Sequence, residues 1–189
     1  MTWTTLTALV LSLVAFVSFG WAIRWLFRVP GRMPTQMKWL TVLGLAFFVG
    51  QWVAILCAQP HLSFLTGAGL LLYVLSLAVF WWATPYARRA ALHIAFSDHS
   101  SGSLITSGPY RWIRHPFYAS YFGYWIAGVI VSQQPWLLVS VAVMGGFYVA
   151  AIRREERELL AGPLAGEYAA YRVRTGALLP KPWARGGSA

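Results

Sequence analysis

Five long apolar segments dominate the chain, at Trp3–Phe27, Trp39–Ala58, Leu62–Ala83, Phe117–Val131 and Trp136–Ile152. A helix of about 20 apolar residues crosses the hydrocarbon core of a bilayer, and the last two segments are short enough to be tilted. Charged residues make up only 11% of the chain, against about 25% in soluble domains. The segments therefore predict an all-α, polytopic integral membrane protein with about five transmembrane helices.

The basic residues fall on alternate connections between these segments. Apart from Arg24, near the end of the first segment, every Lys and Arg lies in the first connection, the third connection or the tail, whereas the loops QPHLS and SQQP carry none. By the positive-inside rule this side is cytoplasmic, so we predict a multi-pass protein of the cell membrane with its N-terminus outside. The net charge of +10 indicates membrane lipids as partners and argues against nucleic acid. The sequence does not indicate the oligomeric state.

Metal chemistry has little support in the sequence. Cys57 is the only cysteine, and the four histidines form no HxxxH or HExxH pattern. We therefore expect no metal site and no internal disulfide.

Polar residues gather in the segment GSLITSGPYRWIRHPFY, which precedes the fourth apolar segment. It reads as an extended strip, a turn at Gly108–Pro109 and a helix that begins at Pro116. Arg111 and Arg114 offer guanidinium groups for a carboxylate or phosphate, and a helix N-terminus also favours an anion. Further hydrogen-bonding or stacking groups come from Tyr110, Trp112, His115 and Tyr118. The alternative is a set of interfacial anchors, with arginines reaching phosphates and aromatics forming a belt.

A second polar group follows the fifth apolar segment, in IRREERELLAGPLAGEYAAYRVRTG. It holds four of the five acidic residues of the chain, Glu155, Glu156, Glu158 and Glu167. One of these glutamates could face the cationic part of a ligand that the strip before the fourth helix binds. The alternative is ordinary pairing with the neighbouring arginines, which contributes little energy. Tyr168 and Tyr171 could cover an aromatic base or simply pack against the core.

The two groups together, GPYRWIRHPFY and RREERELL…YAAYRVRTG…LP, resemble the isoprenylcysteine carboxyl methyltransferase family and, more broadly, phospholipid methyltransferase-like membrane enzymes. The resemblance covers Ser103 to about Pro180 and implies an enzyme that uses S-adenosyl-L-methionine. It implies a cytoplasmic cofactor pocket between the loop before helix 4 and the C-terminal helix. On that basis, residues 1–86 form the N-terminal transmembrane region and residues 87–189 the methyltransferase core. The implied cofactor-binding residues are Gly102, Ser103, Leu104, Ile105, Tyr110, His115, Pro116, Phe117, Tyr118, Glu155 and Glu156.

Two positions depart from the family pattern. Gly102 stands where the family often has histidine, and Ala151 stands where isoprenylcysteine enzymes tend to carry an arginine that contacts the substrate. The resemblance therefore supports use of the cofactor more directly than it supports a prenylcysteine substrate.

The resemblance and the scarcity of base candidates favour methylation of a lipophilic small-molecule or lipid-linked acceptor on a carboxylate, which is already ionised near neutral pH. We assign Glu155 to the ammonium of the cofactor and His115 with Tyr118 to its carboxylate end. As catalytic residues we predict Arg111, Arg114 and Arg153, which would orient an acidic acceptor. The alternatives are a phospholipid or amine N-methyltransferase, and a non-catalytic lipid-binding membrane subunit that retains the same scaffold.

Overall fold

The structure is a computed structural model that describes residues 1–26, 35–96 and 104–181. The described residues form six α-helices, which are α1 (Trp3–Trp25), α2 (Thr35–Ala58), α3 (Phe64–Phe96), α4 (Pro116–Ser132), α5 (Leu138–Ala161) and α6 (Ala165–Arg174). Short 3-10 helices cover Gly108–Arg111 and Pro135–Leu137. Within these residues the only β-type pairing is an isolated bridge between Ile113 and Gly176. The predicted all-α class is confirmed.

Four of these helices have the length and composition needed to cross a membrane. The spans are Trp3–Trp25, Lys38–Ala58, Phe64–Arg89 and Pro135–Ala161, the last of which begins in the 3-10 helix before α5. The remaining predicted span, Phe117–Val131, corresponds to α4, whose 17 residues fall short of the roughly 20 that an upright crossing needs. The exposed faces of α1, α2 and α3 carry large apolar side chains, including Val10, Val14, Val17, Val42, Leu45, Val49, Leu71 and Leu75. Such continuous apolar surface suits lipid and not water, so the chain is a membrane protein.

The third helix is longer than the sequence predicts. We expected it to end at Ala83, but α3 continues through Pro85 to Phe96 over 33 residues. Proline lacks the amide that would donate to the carbonyl four residues earlier, although membrane helices tolerate it where neighbouring groups satisfy the backbone. The hydroxyl of the preceding residue, Thr84, donates to a different carbonyl, that of Phe80, at 2.9 Å. The residues after Pro85 are rich in Ala, Arg and Leu, which favour helix.

The chain groups into two compact units. The first unit consists of Met1–Leu77 and Ser120–Phe147, and the second of Ala78–Ala119 and Tyr148–Ala189. The predicted division after residue 86 stays a prediction, because spatial compactness does not test which residues take part in methyl transfer.

A buried polar network ties four helices together in the first unit. Gln51 on α2 is 1% exposed, and its Nε2 donates to Tyr73 Oη on α3 at 2.6 Å and to Ser12 Oγ on α1 at 3.2 Å. Ser12 Oγ in turn lies 3.1 Å from Tyr124 Oη on α4. Interhelical hydrogen bonds of this kind hold membrane helices together where lipid gives no hydrophobic driving force.

Candidate active site

In the second unit, the strip before α4 pairs with the backbone that follows α6. Arg114 N donates to the carbonyl of Gly176 at 2.8 Å, and His115 N donates to the carbonyl of Ala177 at 3.0 Å. These two bonds accompany the bridge between Ile113 and Gly176. The strip and the C-terminal segment, which are about sixty residues apart in sequence, therefore form one local structure.

The predicted turn at Gly108–Pro109 is the start of a 3-10 helix, and it requires glycine. Gly108 has a φ of +61°, which lies in the left-handed region that side chains disfavour. A β-carbon at this position would also collide with the ring of Tyr86 on α3. Pro116 is the first residue of α4, as predicted, where its missing amide costs nothing.

Arg114 is buried and fully engaged within the second unit. Its Nε and Nη2 donate to Glu156 Oε1 at 2.9 and 2.8 Å, and its side chain is 7% exposed. Its Nη1 donates to the carbonyls of Arg172 and Thr175 at the C-terminal end of α6. The guanidinium therefore joins three segments, the strip, α5 and α6, and satisfies carbonyls that the end of a helix leaves open.

Three basic side chains of the second unit surround the carboxylate of Glu156. Its side chain is only 10% exposed, and Arg172 Nε lies 3.2 Å from its Oε2. His115 Nε2 lies 3.3 Å from Glu156 Oε1, on the side that Arg114 also contacts. Because a buried carboxylate is costly unless it is paired and hydrogen-bonded, these three partners explain how Glu156 is accommodated.

Glu155 lies beside Glu156 but faces a different environment. Its side chain is 47% exposed, and Tyr118 Oη donates to Glu155 Oε1 at 2.6 Å. His115 Nδ1 lies 3.4 Å from Glu155 Oε2, so the imidazole stands between the two glutamates. The ring of Tyr148 lies 5.7 Å from that of Tyr118. The result is a half-exposed carboxylate, oriented by a phenol and an imidazole, beside two aromatic rings.

Three tyrosines line the same part of the second unit and keep their protons at neutral pH. Burial raises the pKa of Tyr110, with Tyr171 and Glu155 adding to the effect. Burial also raises the pKa of Tyr168 to about 12, and the charge of Glu156 contributes in the same direction. Tyr171 Oη donates to the Tyr110 carbonyl at 2.6 Å, which attaches α6 to the strip. At neutral pH these protonated phenols can donate hydrogen bonds, as Tyr171 does, but do not act as bases.

The structure places the predicted residues in three groups. The strip, α4 and α5 bring together Arg114, His115, Tyr118, Glu155 and Glu156. Arg111 and Arg153 are exposed, with Arg111 located 5.8 Å above the Trp112 ring. Leu104, Ile105 and Tyr110 are half-buried in the strip, and Pro116 and Phe117 are buried at the start of α4. Gly102 and Ser103 lie outside the described residues. The ligand-binding roles of all these residues stay predictions.

Sequence reasoning missed Arg172, Thr175 and Gly176 as parts of this cluster. Arg172 was predicted only as one of the basic residues of the tail, yet it pairs with Glu156. One signal was available, since Tyr168, Tyr171 and Thr175 recur at helical spacing and all three are buried. That periodicity indicates which face of α6 is covered, although it does not identify the covering residues.

Comparison with known proteins gives an independent finding. The sequence model of the isoprenylcysteine carboxyl methyltransferase family matches residues 69–161, just under half of the chain. One similar curated protein is the protein-S-isoprenylcysteine O-methyltransferase of Saccharomyces cerevisiae, which is 30% identical over 105 residues. The matched region is 50% of this chain and 44% of that protein, so the chain spans less than half of its relative's length. The resemblance predicted from the sequence is confirmed.

Proposed function

We propose that the chain, which is similar to the isoprenylcysteine carboxyl methyltransferase family over residues 69–161, transfers a methyl group from S-adenosyl-L-methionine to a carboxylate on a lipophilic acceptor in the membrane. The observation that carries this proposal is the unequal exposure of two adjacent glutamates. Glu156 is buried among Arg114, His115 and Arg172, whereas Glu155 offers a half-exposed carboxylate. The site thus combines a rigid ionic core with one carboxylate that is accessible to a cation.

The groups present fit this methyl donor. The donor carries an ammonium and a sulfonium, and the half-exposed carboxylate of Glu155 is suited to a cationic partner. The rings of Tyr118 and Tyr148 supply aromatic faces, which attract cations and stack with flat rings. We assign Glu155 to the ammonium of the donor, with Tyr118 and His115 holding that carboxylate in position.

When bound, the donor supplies an electrophilic methyl group on a sulfonium, and the sulfur is the leaving group, as a neutral thioether. The residues of the chain need only hold the two reactants in line and exclude water, since positioning supplies much of the rate enhancement in such displacements. A carboxylate acceptor is ionised near neutral pH, so no side chain has to remove a proton. This fits a site whose buried tyrosines keep their protons and whose Glu156 is fully paired.

An acidic acceptor requires an accessible cation to orient it. Arg111 and Arg153 are exposed and can take this role, in keeping with the sequence prediction. Arg114 is assigned a positioning role instead, because its donors are already used by Glu156 and by two carbonyls of α6. The name of the yeast relative specifies O-methylation of an isoprenylcysteine in that protein, and for this chain a carboxylate acceptor is part of the proposal.

The proposed location of the site follows from charge. The third connection and the tail carry most of the basic residues, and the positive-inside rule assigns such segments to the cytoplasmic face. We therefore propose a cytoplasmic active site in the cell membrane, with the acceptor entering from the bilayer.

Product chemistry tests the proposal. The full chain in lipid nanodiscs is incubated with methyl-tritiated S-adenosyl-L-methionine and either a prenylcysteine analogue or a membrane lipid extract. We expect lipid-soluble label that is released as volatile methanol on mild base treatment, because only esters are base-labile. Base-stable label in lipid amines would favour an N-methyltransferase, and the absence of any product despite cofactor binding would favour a non-catalytic subunit. Either result would contradict the proposed ester.

A matched variant shows whether the product comes from this site. Glu158 lies three residues after Glu155 on α5, is 63% exposed and pairs with Arg154 at 2.8 Å. We expect Glu158→Gln to retain the yield of base-labile product and Glu155→Gln to lose most of it.

A further inference from the structure

Three large apolar side chains are exposed on adjoining segments of the second unit. Val173 is 74% exposed, Leu179 is 77% exposed and Trp112 is 38% exposed. Gly176 N donates to the carbonyl of Trp112 at 3.4 Å, so the segment that bears Leu179 runs beside the segment that bears Trp112. Single exposed apolar residues are ordinary on a protein surface, but a group of three on neighbouring segments requires an explanation.

The outward face of α6 is also apolar. Tyr168 and Tyr171 are buried, whereas Ala169, Ala170 and Val173 are exposed. On a water-facing amphipathic helix the exposed stripe is normally polar. The stripe formed by Ala169, Ala170 and Val173 carries no hydrogen-bonding side chain, and Arg172 lies to one side of it, so the face is suited to an apolar or interfacial environment.

Cations border this apolar surface. Arg172, Arg174 and Lys181 are the charged residues between positions 172 and 181, and that stretch contains no acid. Arg174 and Lys181 are exposed, and Arg174 is adjacent to Val173 on α6. Lys181 Nζ donates to the carbonyls of Arg172 and Val173 at 2.9 and 3.2 Å, which holds its charge at the end of α6. We call Trp112, Val173, Leu179, Arg174 and Lys181 the α6 surface.

We propose that the α6 surface binds the headgroup region of an anionic phospholipid bilayer. Segments that lie in the membrane interface combine Trp, Leu and Val with Arg and Lys. Their apolar groups lie at the boundary of the acyl chains and their cations lie at the phosphates. Trp112 lies four residues before the apolar helix α4, so a bilayer that holds α4 is within reach of this surface. Self-association through this surface would place Arg174 and Lys181 of two copies face to face, and a water-facing role leaves Val173 and Leu179 unexplained.

A site-specific probe in nanodiscs tests this proposal independently of methyl transfer. Cys57 is the only cysteine, so a polarity-sensitive fluorophore can be attached to the Cys57→Ser, Leu179→Cys variant of the full chain. In nanodiscs with about one-third phosphatidylserine we expect blue-shifted emission and strong quenching by headgroup-labelled nitroxide lipid. In phosphatidylcholine nanodiscs we expect weaker quenching, because each cation at an anionic surface changes binding about five-fold.

Charge reversal distinguishes docking from simple proximity. Arg174→Glu removes a cation from the α6 surface, whereas Arg157→Glu makes the same change at an exposed position on α5. From the quenching by headgroup-labelled lipid we obtain the ratio of molecules whose α6 surface is docked on the bilayer to those whose surface is free. We expect Arg174→Glu to reduce this ratio at least about five-fold and Arg157→Glu to leave it unchanged. Equal quenching of all forms by aqueous iodide, or equal effects of the two reversals, would overturn the proposal. Shielding that disappears when each nanodisc holds a single chain would identify a second copy as the occupant and would also overturn it.

Discussion

Replacing Arg114 with methionine is expected to destabilise the second unit by about 3 kcal/mol, the lower end of the cost of breaking a buried ion pair. The change leaves Glu156 without its closest cation and removes the Arg114 donor from the carbonyl of Thr175, whereas the carbonyl of Arg172 still accepts from Lys181. Arg172 and His115 remain next to Glu156, which limits the loss. Local stability is measured by amide hydrogen exchange in α6, where we expect opening to become about 100-fold more frequent.

Two further variants make this expectation specific. Arg154 pairs with Glu158 at 2.8 Å on the same helix as Glu156, but both side chains are more than 60% exposed. Exchange in α6 should be unchanged in Arg154→Met, since exposed pairs contribute little. Adding Glu156→Gln to Arg114→Met should recover part of the loss, because a neutral amide is less costly to bury than an unpaired carboxylate. Equal exchange in the Arg114 and Arg154 variants would show that Arg114 does not hold α6 in place.

Glu155→Gln is expected to weaken binding of S-adenosylhomocysteine by about 10- to 100-fold, the range for loss of a hydrogen bond to a charged group. The substitution keeps the size and one acceptor oxygen of the side chain but removes the charge that we assign to the ligand's ammonium. Glu155 is half-exposed, so the fold should tolerate the change. Equilibrium binding of tritiated ligand to the full chain in detergent micelles measures the effect.

The matched comparison is again Glu158→Gln, which makes the same chemical change one helical turn away and should retain wild-type affinity. Tyr118→Phe should fall between the two, because it removes only the hydroxyl that orients Glu155 at 2.6 Å. Unchanged affinity in Glu155→Gln would remove that residue from the ligand site and return it to the role of an ordinary surface acid.

Much of this architecture was predictable from the sequence, because membrane insertion imposes length and polarity on each helix. The apolar segments correspond to α1–α5, and Pro116 begins α4 as proline at a helix start predicts. The alternation of basic connections placed the strip and the tail on the same side, and the structure brings His115 within 3.4 Å of Glu155.

The remainder depended on three-dimensional packing that local patterns do not encode. The sequence does not distinguish Arg111 from Arg114, because both are arginines in the same polar segment. Only Arg114 turns inward, because the backbone pairing with Gly176 and Ala177 fixes the direction of the strip. Glu155 and Glu156 are likewise adjacent, and helix geometry points them about 100° apart, one toward the arginines and one toward Tyr118. The continuation of α3 through Pro85 to Phe96 is likewise not predicted by the rule that a helix ends before proline.

The most direct test of the account is the thermal stability of the full chain in detergent with increasing S-adenosylhomocysteine. A ligand that binds the folded chain raises the unfolding temperature in proportion to the logarithm of its concentration. We predict a concentration-dependent rise in the unfolding temperature of the wild-type chain, reduced in Glu155→Gln and retained in Glu158→Gln. The absence of any rise up to the solubility limit of the ligand, or an identical rise in both variants, would contradict a methyl-donor site formed by the strip and α5.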